Sequence, residues 1–236
     1  MRKTLLQTLA AVASELSLQK PTQVISATDG TTSQMLALLV SACDELVQQF
    51  DWNMLQLSYT FSTVVSQEAY AIPSDCYKII NQTLFDRTTR IPIFGPNTPS
   101  EWAMIKGTTV NSGFRKRYKM QGNKIVITPV PASVNTIAFD YQSYNYVIDA
   151  ITGLQKSTFT SDADLCVFDD RLIINALRLK FLESKGLETT AALYNYMQSL
   201  NAVTGADSGA PVLSLSPQDS YALIGTSNLP DGNYGR

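Results

Sequence analysis

The side chains that could do chemistry in this chain are few and scattered. Its densest acids are Asp162-Ala163-Asp164 and Asp169-Asp170. Two carboxylates facing each other across about 5–10 Å could serve as the acid and base of a glycoside hydrolase. A cluster of carboxylate oxygens could instead hold a hard cation. Closeness in sequence supplies neither geometry, and the run lacks the glycine and terminal glutamate of an EF-hand loop. The better reading is local: Asp169 and Asp170 open a helix, where the dipole favours negative charge, and the other acids hold a loop. Lys106-Gly107-Thr108-Thr109 has the ending of a phosphate loop without the upstream glycines. The chain has no histidine, so the commonest general base and metal ligand is missing. Cys43, Cys76 and Cys166 are odd in number and far apart in sequence, with no metal spacing and no disulfide framework. Cys43 lies on an apolar helix face and reads as a core residue. No catalytic, cofactor-binding or metal residue is expected, and no cofactor.

Other residues could recognise rather than react. Arg115-Lys116-Arg117-Tyr118-Lys119 is the one basic run, and could touch phosphates. A solvated strand edge is the preferred reading, because lysine and arginine there discourage edge pairing. The formal net charge of −2 leaves no overall footprint for nucleic acid. Trp52 and Trp102 could stack a sugar or a base. A tryptophan between a helix and a strand more often plugs the joint between two modules, and both are read as module-joint anchors.

The elements that position these residues follow from periodicity. Leu5, Leu9, Val12 and Leu16 mark a helix over 3–17, and Pro21 forbids its continuation. Thr31, Thr32 or Ser33 is expected to cap a second helix ending near Trp52, with Leu36, Leu39, Cys43, Leu46 and Phe50 on one face. The amphipathic start of residues 1–6 is broken by Gln7, Thr8, Ser14 and Glu15, so no signal peptide is expected, and no membrane span. From Leu55 to Thr63 the period becomes two, which reads as a half-buried strand. Short strands follow at 69–72, 77–85 and 90–94, the last two forming a hairpin around 86–89. Thr98, Pro99 and Glu101 give a capping-box helix start, with the helix ending by Gly107. Residues 108–113 read as a loop, and 114–120, 124–128 and 136–144 as strands, the first two joined by Gln121-Gly122-Asn123.

Helical signals return at Asp169. Leu172, Ile173, Ala176, Leu177 and Phe181 share a face, Gly186 is placed for a left-handed cap, and Leu193, Met197 and Leu200 stripe a last helix over 188–203. The expected fold is α+β: an antiparallel four-helix bundle (1–53 and 165–205), an inserted antiparallel β domain (54–164) and an extended C-terminal arm (206–236). The arm is rich in glycine and proline yet carries Leu213, Leu215, Leu223, Leu229 and Tyr234. A purely disordered tail is poor in such residues, so these five are the candidate anchors of an assembly arm.

One resemblance rests on the order of local motifs. It runs through Leu16–Pro21, Glu45–Trp52, Tyr70–Asp75, Ile79–Asn81, Phe85–Arg90, Ile93–Pro96, Pro99–Trp102, Ile127–Pro131, Phe139–Tyr141 and Lys180–Leu187. In that order the chain resembles the head-to-tail adaptor proteins of short-tailed phages, the tail tubular protein A-like family. The resemblance implies a structural virion protein at the head-to-tail interface, assembled in the host cytoplasm. It implies a homo-oligomeric ring, of twelve copies in the family, between the portal protein and the tail nozzle protein. Double-stranded DNA would pass through its lumen without sequence-specific binding. No membrane partner and no enzymatic activity are implied. The alternative is a phage-encoded cell-wall hydrolase using an acidic pair, against which stands the lack of any convergent catalytic set.

Overall fold

The structure, a computed structural model, describes residues 2–107 and 115–207. Helix α1 (Leu5–Glu15) starts where Thr4 closes a capping box with Gln7. The Gln7 N–H donates to the Thr4 hydroxyl at 3.3 Å, and the Thr4 N–H donates to the Gln7 side chain at 3.1 Å. Two otherwise orphaned amides are thereby satisfied. The helix stops before Ser17, which takes a left-handed φ of 56°. Helix α2 (Gly30–Gln49) is capped by Asp29 rather than by Thr31, Thr32 or Ser33. The Asp29 carboxylate accepts from the Thr32 N–H at 3.0 Å. A carboxylate caps as well as a hydroxyl and adds charge where the helix dipole favours it.

After a 3-10 turn at Asn53–Leu55, strand β1 (Gln56–Ser62) pairs antiparallel along the whole of its length with the long strand β8 (Thr136–Ser143). The other edge of β8 takes β3 (Cys76–Ile79) near its Ser143 end and β4 (Phe85–Asp86) near its Thr136 end. Strand β5 (Ile91–Pro92) closes the β4 hairpin at the place the sequence predicts. The single strand expected over 77–85 is two strands. The Thr83 hydroxyl donates to the Ile80 carbonyl at 2.7 Å and Gln82 has a φ of 65°, so the chain turns between them.

A second sheet runs β2 (Ala69–Ala71), β7 (Lys124–Thr128), β6 (Arg117–Met120), and Gly122 at φ 59° turns β6 into β7. Helix α3 (Pro99–Gly107) opens on the predicted box: the Glu101 N–H donates to the Thr98 hydroxyl at 3.3 Å, and the Thr98 N–H to the Glu101 carboxylate at 2.9 Å. A third sheet, β10 (Gln155–Lys156), β9 (Val147–Ile148), β11 (Leu165–Cys166), lies in a stretch where periodicity gives no strand. Helices α4 (Asp170–Ser184) and α5 (Thr190–Asp207) are joined through Gly186, whose φ of 66° and the Leu187 N–H to Leu182 carbonyl bond at 3.0 Å complete a helix-ending motif.

The expected four-helix bundle with an inserted β domain is not what the chain builds. The described residues form five α-helices and eleven strands in three antiparallel sheets. Helix α5 lies against the core by Ala192, Tyr196, Leu200 and Val203, whereas Leu193 and Met197 of its predicted stripe face outward at 40 % and 53 % exposure, and Ala192 is its one buried residue. Helix α4 is instead central, with eight buried residues spread around it. The remaining wall comes from Trp52, Leu55, Tyr146, Val147, Val167 and Phe168, the last four flanking or belonging to the third sheet. That sheet is tied to α1 by backbone: the Leu5 N–H donates to the Asp164 carbonyl at 2.8 Å, and Thr4 bridges Leu165. Helices and strands therefore share one core. A second core, around Ile125, Ile127, Ile137, Phe139 and Tyr118, lies between the first two sheets. The arm anchors Leu213, Leu215, Leu223, Leu229 and Tyr234 lie outside the described residues.

Candidate functional site

The acids singled out by the sequence are all occupied with holding backbone. Asp169 caps α4, accepting from the Arg171 N–H at 2.8 Å and the Leu172 N–H at 3.3 Å. Asp170 accepts from the Lys3 N–H at 2.9 Å. Asp162 accepts from the Val24 and Ile25 amides at 3.0 and 2.8 Å, joining the loop before α2 to the loop before β11. Asp164 is fully buried; it accepts from the Thr160 and Ser161 amides at 2.8 and 2.9 Å and pairs with Lys156 at 2.8 Å. Burial alone would raise its carboxyl, but the Lys156 ammonium and these amides hold it below the usual range. The four carboxylates do not converge on a common space. Among the described residues no group of three or more metal-ligating side chains comes together, and no helix is long and apolar enough to cross a membrane.

The basic run sits on β6, the last strand of its sheet, but its outer edge is not the solvated one expected. Phe94 bridges Arg117; the Phe94 N–H donates to the Lys116 carbonyl at 3.0 Å and the Tyr118 N–H to the Phe94 carbonyl at 2.9 Å, so the edge is covered by the chain itself. The Lys116 ammonium pairs with Asp86, whose side chain is fully buried. The same carboxylate accepts from the Thr88 and Thr89 amides, each at 2.9 Å, and from the Asn135 side chain at 3.1 Å. Burial would raise the Asp86 carboxyl; Lys116 and Thr89 outweigh it and keep the group ionised. One buried carboxylate thus fixes the β4–β5 turn, the start of β6 and the start of β8 against one another. No sequence signal marks it, since its partners lie 30 and 49 residues away. Beside it, Gly95 makes room for β6: a Cβ there would stand 2.4 Å from the Tyr118 carbonyl, at a φ of 155° that disfavours side chains.

The two tryptophans are separate. Trp52 has no exposed surface; its Nε1–H donates to the Leu46 carbonyl at 2.6 Å, and its ring meets Phe50 and Phe168 edge-on at 5.1 and 5.2 Å. Next to it the Gln142 amide of β8 donates to the Val47 and Phe50 carbonyls at 3.0 and 3.2 Å, so the end of α2 is stitched to the long strand. Trp102 is 7 % exposed, with the Lys119 and Lys106 ammoniums over its ring at 5.1 and 5.9 Å. Neither ring is open for stacking a base or sugar. A groove of about 630 Å³ runs between α2, the Ser74-Asp75 turn and the β9–β10 region, lined by Asp44, Tyr144 and Ser157 among others. Its carboxylates face no histidine or cysteine nucleophile on the lining. The sequence also missed that Cys43 and Cys166 meet, with sulfurs 4.0 Å apart. The hydrogen bond to Cys166, with burial, pushes the Cys43 thiol well up.

The acids singled out by the sequence, the two tryptophans and Lys116 are thus engaged within the fold. The chain matches the family model of the SU10 adaptor protein over residues 3–216. It belongs to the SU10 adaptor protein family. No curated protein matches it. The match takes in both core clusters and all five helices. The adaptor is a structural component of a phage virion, and its task is contact with other virion components.

Proposed function

We propose that the adaptor forms an oligomeric ring between the portal protein and the tail nozzle protein of a short-tailed phage, in the manner of tail tubular protein A. The ring extends the channel through which double-stranded DNA passes, without reading its sequence. Twelve copies at the head-to-tail interface, assembled in the host cytoplasm, is the form this takes. The supporting observation is the outward face of α5, where Leu193, Tyr194 and Met197 are between 40 % and 64 % exposed on a helix with almost no charge. Such a face is rare on a protein that works alone. It leads directly into residues 206–236, proposed as the assembly arm with Leu213, Leu215, Leu223, Leu229 and Tyr234 as anchors.

Within this reading, residues 1–53 with 165–205, residues 54–164 and residues 206–236 differ in labour rather than in independent folding. Trp52 and Trp102 serve as anchors at the joints, Trp52 between α2 and β1 and Trp102 under the basic edge. Catalysis has no part in the proposal, and the engaged Asp162, Asp164, Asp169 and Asp170 give the cell-wall hydrolase reading no support. The deciding experiment is the mass of the purified protein with and without portal rings. A closed complex of portal with adaptor copies in a fixed ratio is the expected result. An adaptor that stays unbound to portal over micromolar concentrations would refute the proposal.

A further inference from the structure

The adaptor carries its charge in two separated blocks. Residues 86–124 hold eight of the eighteen lysines and arginines but only Asp86 and Glu101 of the twenty acids. Residues 149–170 hold five acids, Asp149, Asp162, Asp164, Asp169 and Asp170, against the single base Lys156. Strand β8 sets the β4–β5 turn, with the start of β6 tied to it through Asp86 and Lys116, at one end and the third sheet at the other. At its Thr136 end the Arg87 N–H donates to the Thr136 carbonyl at 2.8 Å, and the Thr136 N–H donates to the Thr88 hydroxyl at 2.8 Å. At its Ser143 end the chain passes into Tyr146, whose carbonyl accepts from the Val167 N–H at 2.8 Å, and so into the third sheet. Eight extended residues put roughly 25 Å between the two ends.

The basic block is open and partly unspent. Arg87 and Arg90 on the β4–β5 turn, and Arg115 and Arg117 at the start of β6, are all exposed. Among the described residues Arg87, Arg90 and Arg115 make no ion pair. The acidic block is rigid, because backbone amides hold its carboxylates in place; Asp164 is buried on Lys156, and Asp149, Asp162, Asp169 and Asp170 form the accessible part. We propose that the basic end is a docking surface for the acidic end of a second copy of this chain, an inference that rests on the ring reading above.

A protein partner fits better than a nucleic-acid duplex for two reasons. Lys116 and Lys106 are neutralised by Asp86 and Glu68, so the free cations stand apart, on the β4–β5 turn and at the start of β6, instead of lining one continuous track. The rest of the chain carries ten bases against eighteen acids and repels phosphates while attracting the basic end of another copy. Arginine forks suit carboxylates fixed in orientation. Two different surfaces on one chain that recognise each other make a head-to-tail contact, and a head-to-tail contact that closes makes a ring.

The test is a charge swap read by sedimentation of the full chain. Arg87→Glu, Arg90→Glu and Arg115→Glu together invert the basic end. Ser157→Lys, Thr158→Lys and Ala163→Lys invert the acidic end at exposed positions and leave every capping carboxylate in place. Each triple variant is expected to weaken self-association at least tenfold, and the combined six-fold variant to restore it. The unaltered protein provides a second measurement: raising salt from 50 to 500 mM should weaken its association by a similar factor. The proposal is overturned by salt-independent association, by an unaltered chain that never associates, by single-end variants that associate normally, or by a six-fold variant no better than its parents. It is also overturned if inverting the basic end abolishes retention of a fluorescent 30-base-pair DNA while self-association stays intact. Should the single-end variants still assemble on portal rings as well as the unaltered chain does, only this inference fails and the ring reading stands.

Discussion

At the scale of single residues, Asp86 bears the heaviest burden. Its carboxylate has no exposed surface and serves one ammonium, two backbone amides and one side-chain amide. Removing one partner of a buried pair leaves the other charge uncompensated, which costs about 3–5 kcal/mol. Asp86→Ala is therefore expected to destabilise the adaptor by about that much, measured by urea unfolding; a loss under 1 kcal/mol would show that water replaces the carboxylate. Acid should act through the same groups. Asp86 and Asp164 are both held below the usual carboxylate range in the folded state, so the unfolded chain takes up protons first. Their stabilisation is present above about pH 4, the unfolded value, and is lost as pH falls through the lower folded values. On the alkaline side Tyr141 is pushed up to about 12, first by burial and then by Asp75. Its contribution is complete below about pH 10 and disappears as pH rises through the folded value. Melting temperature should thus be flat from about pH 5 to 9 and fall at both ends; a melting curve that rises below pH 4 would contradict the assignment. Thiols give a third check. Cys43 is sealed in the core and Cys76 is pushed up to about 11 by burial first and then by Asp75. Since the thiolate is the reactive form, iodoacetamide at pH 8 should modify the half-buried Cys166 before either of them, as peptide mass spectrometry will show.

At the scale of elements, legibility follows the range of the forces involved. Caps are local, and the Thr98–Glu101 box and the Asp169 cap both stand where the sequence places them. The Asp29 cap was misplaced by two to four residues, because three hydroxyls follow it and all have the right chemistry. Strands of seven or eight residues announce themselves by alternation, as β1 does. The pairs of residues in β9, β10 and β11 are too short to show a period, and they form because β9 lies between two neighbours and β11 meets α1. Helix α5 differs for the opposite reason: its apolar spacing is real, but only Leu200 of the stripe packs on the core, while Leu193 and Met197 point away from it. The helix-capping role of Asp169 was legible, because its partners are its own neighbours; the covering of β6 by Phe94 was not. The buried Asp86–Lys116 pair and the Cys43–Cys166 contact were not, since both join residues brought together only by the fold. Trp52 offers the element-scale test. It fills the space between the end of α2, the start of α4 and Phe168. Trp52→Ala should cost about 3–5 kcal/mol and loosen α2 from β8, seen as faster amide exchange at Gln142; unchanged exchange would place the joint elsewhere.

At the scale of the whole molecule, a single copy leaves two kinds of surface unmatched, a charged end and an apolar helix face. The apolar face runs into the C-terminal segment, so removing that segment separates folding from assembly. Helix α5 continues to Asp207, whose carboxylate and carbonyl accept from the Asn53 backbone and side chain at 2.7 and 2.6 Å. The cut therefore belongs after Asp207, not at 206, or it would also release the turn that leads into β1. Every described member of both core clusters lies before the cut. Removing residues 208–236 should lower the melting temperature by no more than a few degrees. Assembly should respond differently. Ordering an extended segment costs on the order of 1–2 kcal/mol per residue in backbone entropy. Burying a large apolar side chain returns only about 1.5–3 kcal/mol. Five anchors cannot offset the ordering of some thirty residues, so such an arm needs the added backbone hydrogen bonds of a partner surface, and its contribution should appear only in the complex. The truncated adaptor is expected to bind portal rings at least tenfold more weakly than the full chain at equal concentration. Equal binding by the two would remove the arm from the assembly mechanism and leave the outward face of α5 and the charged ends to hold the ring.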